Sequence, residues 1–231
     1  MSGEYRELDA EEVATYLGEL LDRLNRRGVQ ADVYLIGGAA MALHLGRDSL
    51  TPDIDGLFHP RAEVMDEARG MASEYGLDPG WINDRAFSFM SFDPADDEEA
   101  VSIELRGFPV LLASKRVLLA LKIAASRTKD FEDTNRLILD LGISEAEDIV
   151  ALTRAVLGAN GVTLPDNQYE LHLIVEEALR RAERYARESQ QPHAASRLNA
   201  RRVLVAPYRR ADGLFVESHW RSAPRRSGSS L

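Results

Sequence analysis

A four-residue apolar run, Val33-Tyr-Leu-Ile36, stops at two glycines, Gly37 and Gly38, and passes directly into Ala39-Ala-Met-Ala-Leu43. This arrangement constrains the fold more than any other stretch. The run is too short for a helix and reads as a buried strand. The glycines end it, and the small side chains that follow suit a helix packed closely behind it. Ten residues on, Asp53-Ile-Asp-Gly-Leu-Phe58 alternates polar and apolar positions, the pattern of a strand with one exposed end. Strand, glycine pair, helix and acidic strand thus follow one another within 26 residues.

The flanking sequence supplies the rest of a small sheet and its helices. Upstream, Val13, Tyr16, Leu17, Leu20, Leu21 and Leu24 recur at helical spacing. Asp9 and Glu12 form a capping-box pattern at the start of that helix, and Gly28 is placed to end it. Pro60 opens a helix reaching Tyr75, and Gly76-Leu-Asp-Pro-Gly80 is a loop. Val101–Leu105 and Pro109–Leu112 read as further strands. Ser114 caps a helix reaching about Arg127, and another helix begins near Asp130. Ser144 and Glu147 repeat the capping-box pattern, and helical periodicity returns from about Asn167 to Glu188. Beyond Pro192, Val203–Val205 and Leu214–Val216 flank Ala211-Asp-Gly213 and suggest a hairpin. The expected architecture is α+β. A small mixed sheet backed by helices spans residues 1–145, a helical region 146–190, and a short basic tail 191–231.

Charge and composition narrow the function classes. A net charge of −10 over 231 residues opposes nucleic-acid binding by bulk electrostatics. Acidic residues crowd Asp93 to Glu99, whereas the tail from Arg197 to Arg226 is rich in arginine, a hint of a partner-binding surface. With no cysteine there is neither a disulfide framework nor a thiolate metal site. No apolar run approaches the roughly 20 residues of a membrane helix. The polar, acidic start does not read as a secretory signal. A cytoplasmic location is the expectation.

Chemistry concentrates at the two motifs. Asp53 and Asp55, one residue apart on a strand, project to the same face because the side-chain period is two. Carboxylates so close repel unless a divalent cation lies between them, and oxygen ligands suit Mg²⁺ (or Mn²⁺), which takes one or two carboxylates together with substrate phosphates. The exposed backbone N–H groups of Gly37 and Gly38, at the start of a helix, favour phosphate oxygens. Phosphate cradle plus metal carboxylates is the equipment of phosphoryl or nucleotidyl transfer.

Val33–Leu43 followed by Thr51-Pro-Asp-Ile-Asp55 resembles the nucleotidyltransferase superfamily, and more narrowly its bacterial branch of AbiEii- and MenT-type toxins. That branch carries a later helical signature, matched here by Leu118-Leu-Ala-Leu-Lys122, Arg127, Asp130 and Asp133. The resemblance covers about residues 30–145. It implies transfer of a nucleotide from an NTP to an RNA (tRNA-like) or protein acceptor, with Asp53 and Asp55 holding Mg²⁺. It further implies that Lys122 neutralises triphosphate, that Arg127, Asp130 and Asp133 complete the nucleotide site, and that a cognate antitoxin is a partner. Many members carry serine where this chain has Gly38. Glu104 is the candidate for the superfamily's third carboxylate, the base.

Each assignment has a plainer counterpart. Lys122, in an apolar stretch, needs either an anionic partner or a path to solvent. Asp130 and Asp133 read equally as helix-start carboxylates. Glu104 reads equally as an exposed strand residue, whereas Trp81 reads first as a core or pocket-wall aromatic and the tail first as a solvated hairpin. The five histidines show no ligand spacing. Without a third carboxylate, the same fold would serve as a non-catalytic module that binds a nucleotide or a partner.

Overall fold

The computed structural model describes residues 7–45, 51–85, 87, 93–158, 164 and 168–189, together with the backbone of 202–205, 208–209, 215–216 and 219–222. The chain divides into two compact units, Met1–Arg184 and Tyr185–Leu231. The first is α+β. Its elements run α1 (Ala10–Arg26), β1 (Asp32–Leu35), α2 (Gly37–Leu45), β2 (Ile54–His59), α3 (Arg61–Tyr75), β3 (Ile82–Asn83), β4 (Val101–Leu105), β5 (Phe108–Leu112), α4 (Lys115–Ala125), α5 (Phe131–Leu141), α6 (Ala146–Leu157) and all but the last five residues of α7 (Gln168–Ser189).

The sheet has the order β3-β2-β1-β5-β4. Strand β1 is antiparallel to β2 and parallel to β5, β3 is parallel to β2, and β4 and β5 are antiparallel. Along β2 burial alternates: Ile54, Gly56 and Phe58 are buried, while Asp55, Leu57 and His59 are less so. The buried set joins Val33, Leu35, Val110 and Leu112 in one core with α1, α2 and α3. Helix α1 begins with the expected capping box, Asp9 accepting from the Glu12 N–H and Glu12 accepting from the Asp9 N–H. It buries Val13, Leu17, Leu20, Leu21 and Leu24, as its spacing predicts. Ser114 caps α4 through the Val117 N–H. Trp81 is a core residue, its indole N–H donating to the Ala68 carbonyl. Among the described residues no helix is long and apolar enough to cross a membrane.

Four sequence expectations need correction. Asp53 stands one residue before β2 rather than within it. Strand β3 is absent from the sequence reading, because two residues cannot show a period of two. The Ser144/Glu147 capping box does not form: α6 starts at Ala146 with Glu145 in the cap position and no side-chain cap bond. Ser144 instead turns its hydroxyl to the Glu145 carboxylate, 3.3 Å away.

The fourth correction lies in the second unit. There β6 (Arg202–Val205) pairs with β9 (His219–Ser222), and β7 (Tyr208–Arg209) pairs with β8 (Phe215–Val216). The segments 203–205 and 214–216 are therefore not partners. The shorter inner loop is the easier to close, so the strands nearest the turn pair with each other. Residues 211–213 of the expected turn lie outside the described residues.

Gly56 is what lets β2 lie against the core beside β1. A Cβ there would stand 2.8 Å from Phe58 Cζ, 2.9 Å from the Tyr34 carbonyl oxygen and 3.1 Å from Leu35 Cδ2. The carbonyl belongs to the paired backbone and cannot step aside. Gly56→Ala should therefore destabilise the protein by about 1–3 kcal/mol, the usual range for overpacking, read from the shift in urea midpoint.

Candidate functional site

The site assembles where β1 ends. The Ile36 N–H donates to the Asp55 carbonyl at 2.9 Å, extending the β1–β2 ladder by one step. The next residue, Gly37, therefore opens α2 directly beside Asp55. Gly37 has a φ of 65°, in the left-handed region that glycine enters freely. A Cβ at Gly37 would lie 2.9 Å from Asp55 Oδ2. Two separate requirements, conformation and space, thus select glycine.

Gly38 is cramped for a different reason. A Cβ there would meet Thr51 Oγ1 at 2.6 Å and Thr51 Cβ at 3.1 Å. Thr51 is buried, and its hydroxyl donates to the Asp53 carbonyl at 2.8 Å. The threonine hydroxyl therefore occupies the space that a serine at position 38 would need. It also fixes the backbone from which Asp53 projects.

Asp53 and Asp55 are both half-buried, and Asn83 joins them from β3. Asn83 is the register partner of Asp55, and its amide donates to Asp53 Oδ2 at 2.9 Å. The same amide assists Asp55, while the Asn83 carbonyl oxygen accepts the Arg85 N–H at 3.2 Å. Burial, and next the neighbouring Asp53 charge, push the Asp55 carboxyl up to about 6. Asn83, Arg127 and Arg85 oppose that rise without cancelling it. Neither Asn83 nor Arg85 carries a signal in the sequence. A lone Asn-Asp-Arg stretch looks like a turn until β3 brings it beside β2.

The later motif forms a cluster of its own. Lys122 Nζ lies 2.5 Å from Asp130 Oδ1 and 2.9 Å from Asp133 Oδ2, and both aspartates are buried. Of the two anionic partners the sequence allowed for Lys122, phosphate or carboxylate, the folded chain supplies carboxylate. Asp130 and Asp133 start α5 as expected, but they face Lys122, and Asp130 makes no side-chain cap bond. These contacts clamp the turn between α4 and α5. Within it Ser126 adopts a φ of 44°, and Arg127 leaves the helix exposed and close enough for its charge to act on Asp55.

Glu104 is not brought to the aspartates. It lies exposed on β4, three strands from β2, or about 14 Å at usual strand spacing. It pairs with Pro109, and the register carried through β1 aligns it with His59, at the opposite end of β2 from Asp55. Strand order and register, neither of them local properties, separate the two. Among the described residues no three histidine or acidic side chains converge as a metal-ligand group. The Asp53/Asp55 pair fits a hard cation that brings further oxygen ligands with it, as Mg²⁺ does with phosphates. Within the acidic segment, Asp97 turns inward to accept from the Tyr34 hydroxyl at 2.7 Å and the Ser114 N–H at 2.8 Å. Burial, and then this bond, push the Tyr34 hydroxyl well above its ordinary range.

No protein-family model matches the chain, and comparison with curated proteins finds no match. One similar solved structure is the crystal structure of an antigenic nucleotidyltransferase-like protein from Paracoccidioides brasiliensis. It shares 16% identity, covers 83% of this chain and 94% of its own, and has a TM-score of 0.38. Likeness of that degree carries no conclusion about activity.

Two outcomes follow from the geometry. Removing the ammonium in Lys122→Ala leaves two buried carboxylates facing each other, so stability should fall by about 3–5 kcal/mol in denaturant titration. Asp55, with its folded pKa raised above the unfolded one, binds its proton more tightly in the native state. Asp55 therefore contributes a loss of stability as pH rises from about 4 through 6, read as the difference from a variant that lacks the carboxyl. Asp55→Asn, measured without divalent cations, should lack that loss: more stable than wild type at pH 7, with the gap closing by pH 4.

Proposed function

We propose that the first unit is a nucleotidyltransferase whose substrate is an NTP bound with Mg²⁺ or Mn²⁺ at Asp53 and Asp55. The observation that carries this reading is the packing of the Asp55 carboxylate against Gly37, at the opening of α2. A cation held by the carboxylates and phosphate oxygens resting on the glycine backbone would then share one small volume. The cation would neutralise charge developing on the transferred phosphoryl group. Asp53 and Asp55 would hold it, Asn83 and Thr51 would keep Asp53 oriented, and Gly37 and Gly38 would present N–H donors to the phosphates. Arg127 would balance triphosphate charge, with Lys122, Asp130 and Asp133 holding its turn in place.

The finer reading rests on the sequence resemblance. It makes the acceptor an RNA (tRNA-like) or a protein and the chain the toxin of a toxin–antitoxin pair. A second reading, a binding module without transfer chemistry, is favoured by one observation. The polar side chain that reaches Asp53 from the adjacent strand is the amide of Asn83, which cannot take a proton as a base would.

Incubation with each labelled NTP, total tRNA and Mg²⁺ or Mn²⁺, alongside calorimetry of NTP binding, tests both readings. The enzyme reading expects label on an acceptor. Asp55→Ala should abolish it and weaken metal-dependent NTP binding about tenfold or more, as for a lost charge-assisted contact. Metal-dependent binding with no labelled acceptor would favour the binding module. Equal NTP affinity and metal dependence in wild type and Asp55→Ala would overturn the site.

A further inference from the structure

With Lys122 committed to Asp130 and Asp133, the cations left to meet a polyphosphate must come from elsewhere. Most described arginines of the first unit are engaged: Arg23, Arg27 and Arg61, for example, each pair with a carboxylate. Arg85 and Arg127 differ. Both are exposed and, like the exposed Arg116, make no ion pair among the described residues. They come from separate parts of the chain, Arg85 from the segment leaving β3 and Arg127 from the turn between α4 and α5. Each is tied to the site by a fixed anchor. The Arg85 N–H is held by the Asn83 carbonyl, on the same side chain that binds Asp53. Arg127 follows the left-handed Ser126 at the end of α4, in the turn that Lys122 cross-links to α5.

We propose that Arg85 is a second phosphate-binding residue, closing with Arg127 on the polyphosphate of a nucleotide seated at Asp53 and Asp55. This rests on the nucleotide reading above and extends it to a residue outside both sequence motifs. Its physical basis is an imbalance. The chain carries a net charge of −10, and the site itself holds two carboxylates. A triphosphate adds about four more negative charges, of which one divalent cation cancels two. Guanidinium groups suit the remainder, because their planar fork grips phosphate oxygens through paired hydrogen bonds. The charges of these two arginines already reach Asp55. The Arg85 Nη2 rests 3.4 Å from the point where a Cβ on Gly80 would stand, so the side chain packs over the Gly80 turn, where Asp78 Oδ1 lies 3.3 Å from the same point.

The test uses the full chain with inorganic tripolyphosphate and Mg²⁺ in calorimetry, so that neither base recognition nor transfer enters the readout. Arg85→Ala should weaken tripolyphosphate binding about tenfold, as for a lost charge-assisted contact. Arg85→Lys should recover only part of that loss, because the fork is missing. Arg69→Ala, which removes an equal charge from a locally paired surface arginine, should leave binding unchanged. Loss in Arg127→Ala with wild-type affinity in Arg85→Ala would overturn the clamp and leave the nucleotide reading standing. An equal loss in Arg69→Ala would reduce the effect to net charge and also overturn it. If the wild type binds neither tripolyphosphate nor any NTP with Mg²⁺, the nucleotide reading fails and the clamp with it.

Discussion

The site depends on one close approach, that of the Asp55 carboxylate to the backbone of Gly37. It exists because the β1–β2 ladder runs one step past its last strand pair, through the bond from the Ile36 N–H to the Asp55 carbonyl. From there the chain must turn into α2 at once, with no side chain in the way. A Cβ at Gly37, Gly38 or Gly56 would come within 3.0 Å of Asp55, Thr51 or the β1 backbone respectively. The glycines around the acidic strand are therefore a packing solution first. Whatever chemistry the site performs uses the gap they keep open.

Electrostatics follows from the same packing. Two half-buried carboxylates share a corner, and the protein moderates their repulsion without removing it. Asn83 supplies an oriented amide, and Arg85 and Arg127 supply distant positive charge, yet Asp55 stays raised to about 6. The Lys122 cluster is the contrasting case, two buried carboxylates satisfied by an internal ammonium. One acidic group is internally compensated and the other is left short of positive charge. That difference is why a cation is proposed at Asp53 and Asp55, whereas Lys122 already has its counter-charges within the chain.

Local sequence was a good guide wherever a short-range rule decides structure. The capping box at Asp9 and Glu12, the Ser114 cap, and the alternation of β2 all appear as read, because each depends on residues within a few positions. The same rule failed at Ser144, where the competing carboxylate of Glu145 took the hydroxyl. It failed again in the second unit, where the choice among strand partners is a question of loop closure rather than of strand character.

The sequence by itself determined the α+β pattern, the glycine turn, and the pair Asp53 and Asp55 at the opening of an acidic strand, since helical and strand periods are written in adjacent residues. Only the tertiary structure decided which polar groups surround that pair. It brought Asn83 and Arg85 in through a two-residue strand, set Thr51 against Gly38, turned Lys122 to its own aspartates, and left Glu104 on the far edge of the sheet. The physical reason is that strand order and register are fixed by burial of the whole core, and no local pattern encodes which strands become neighbours.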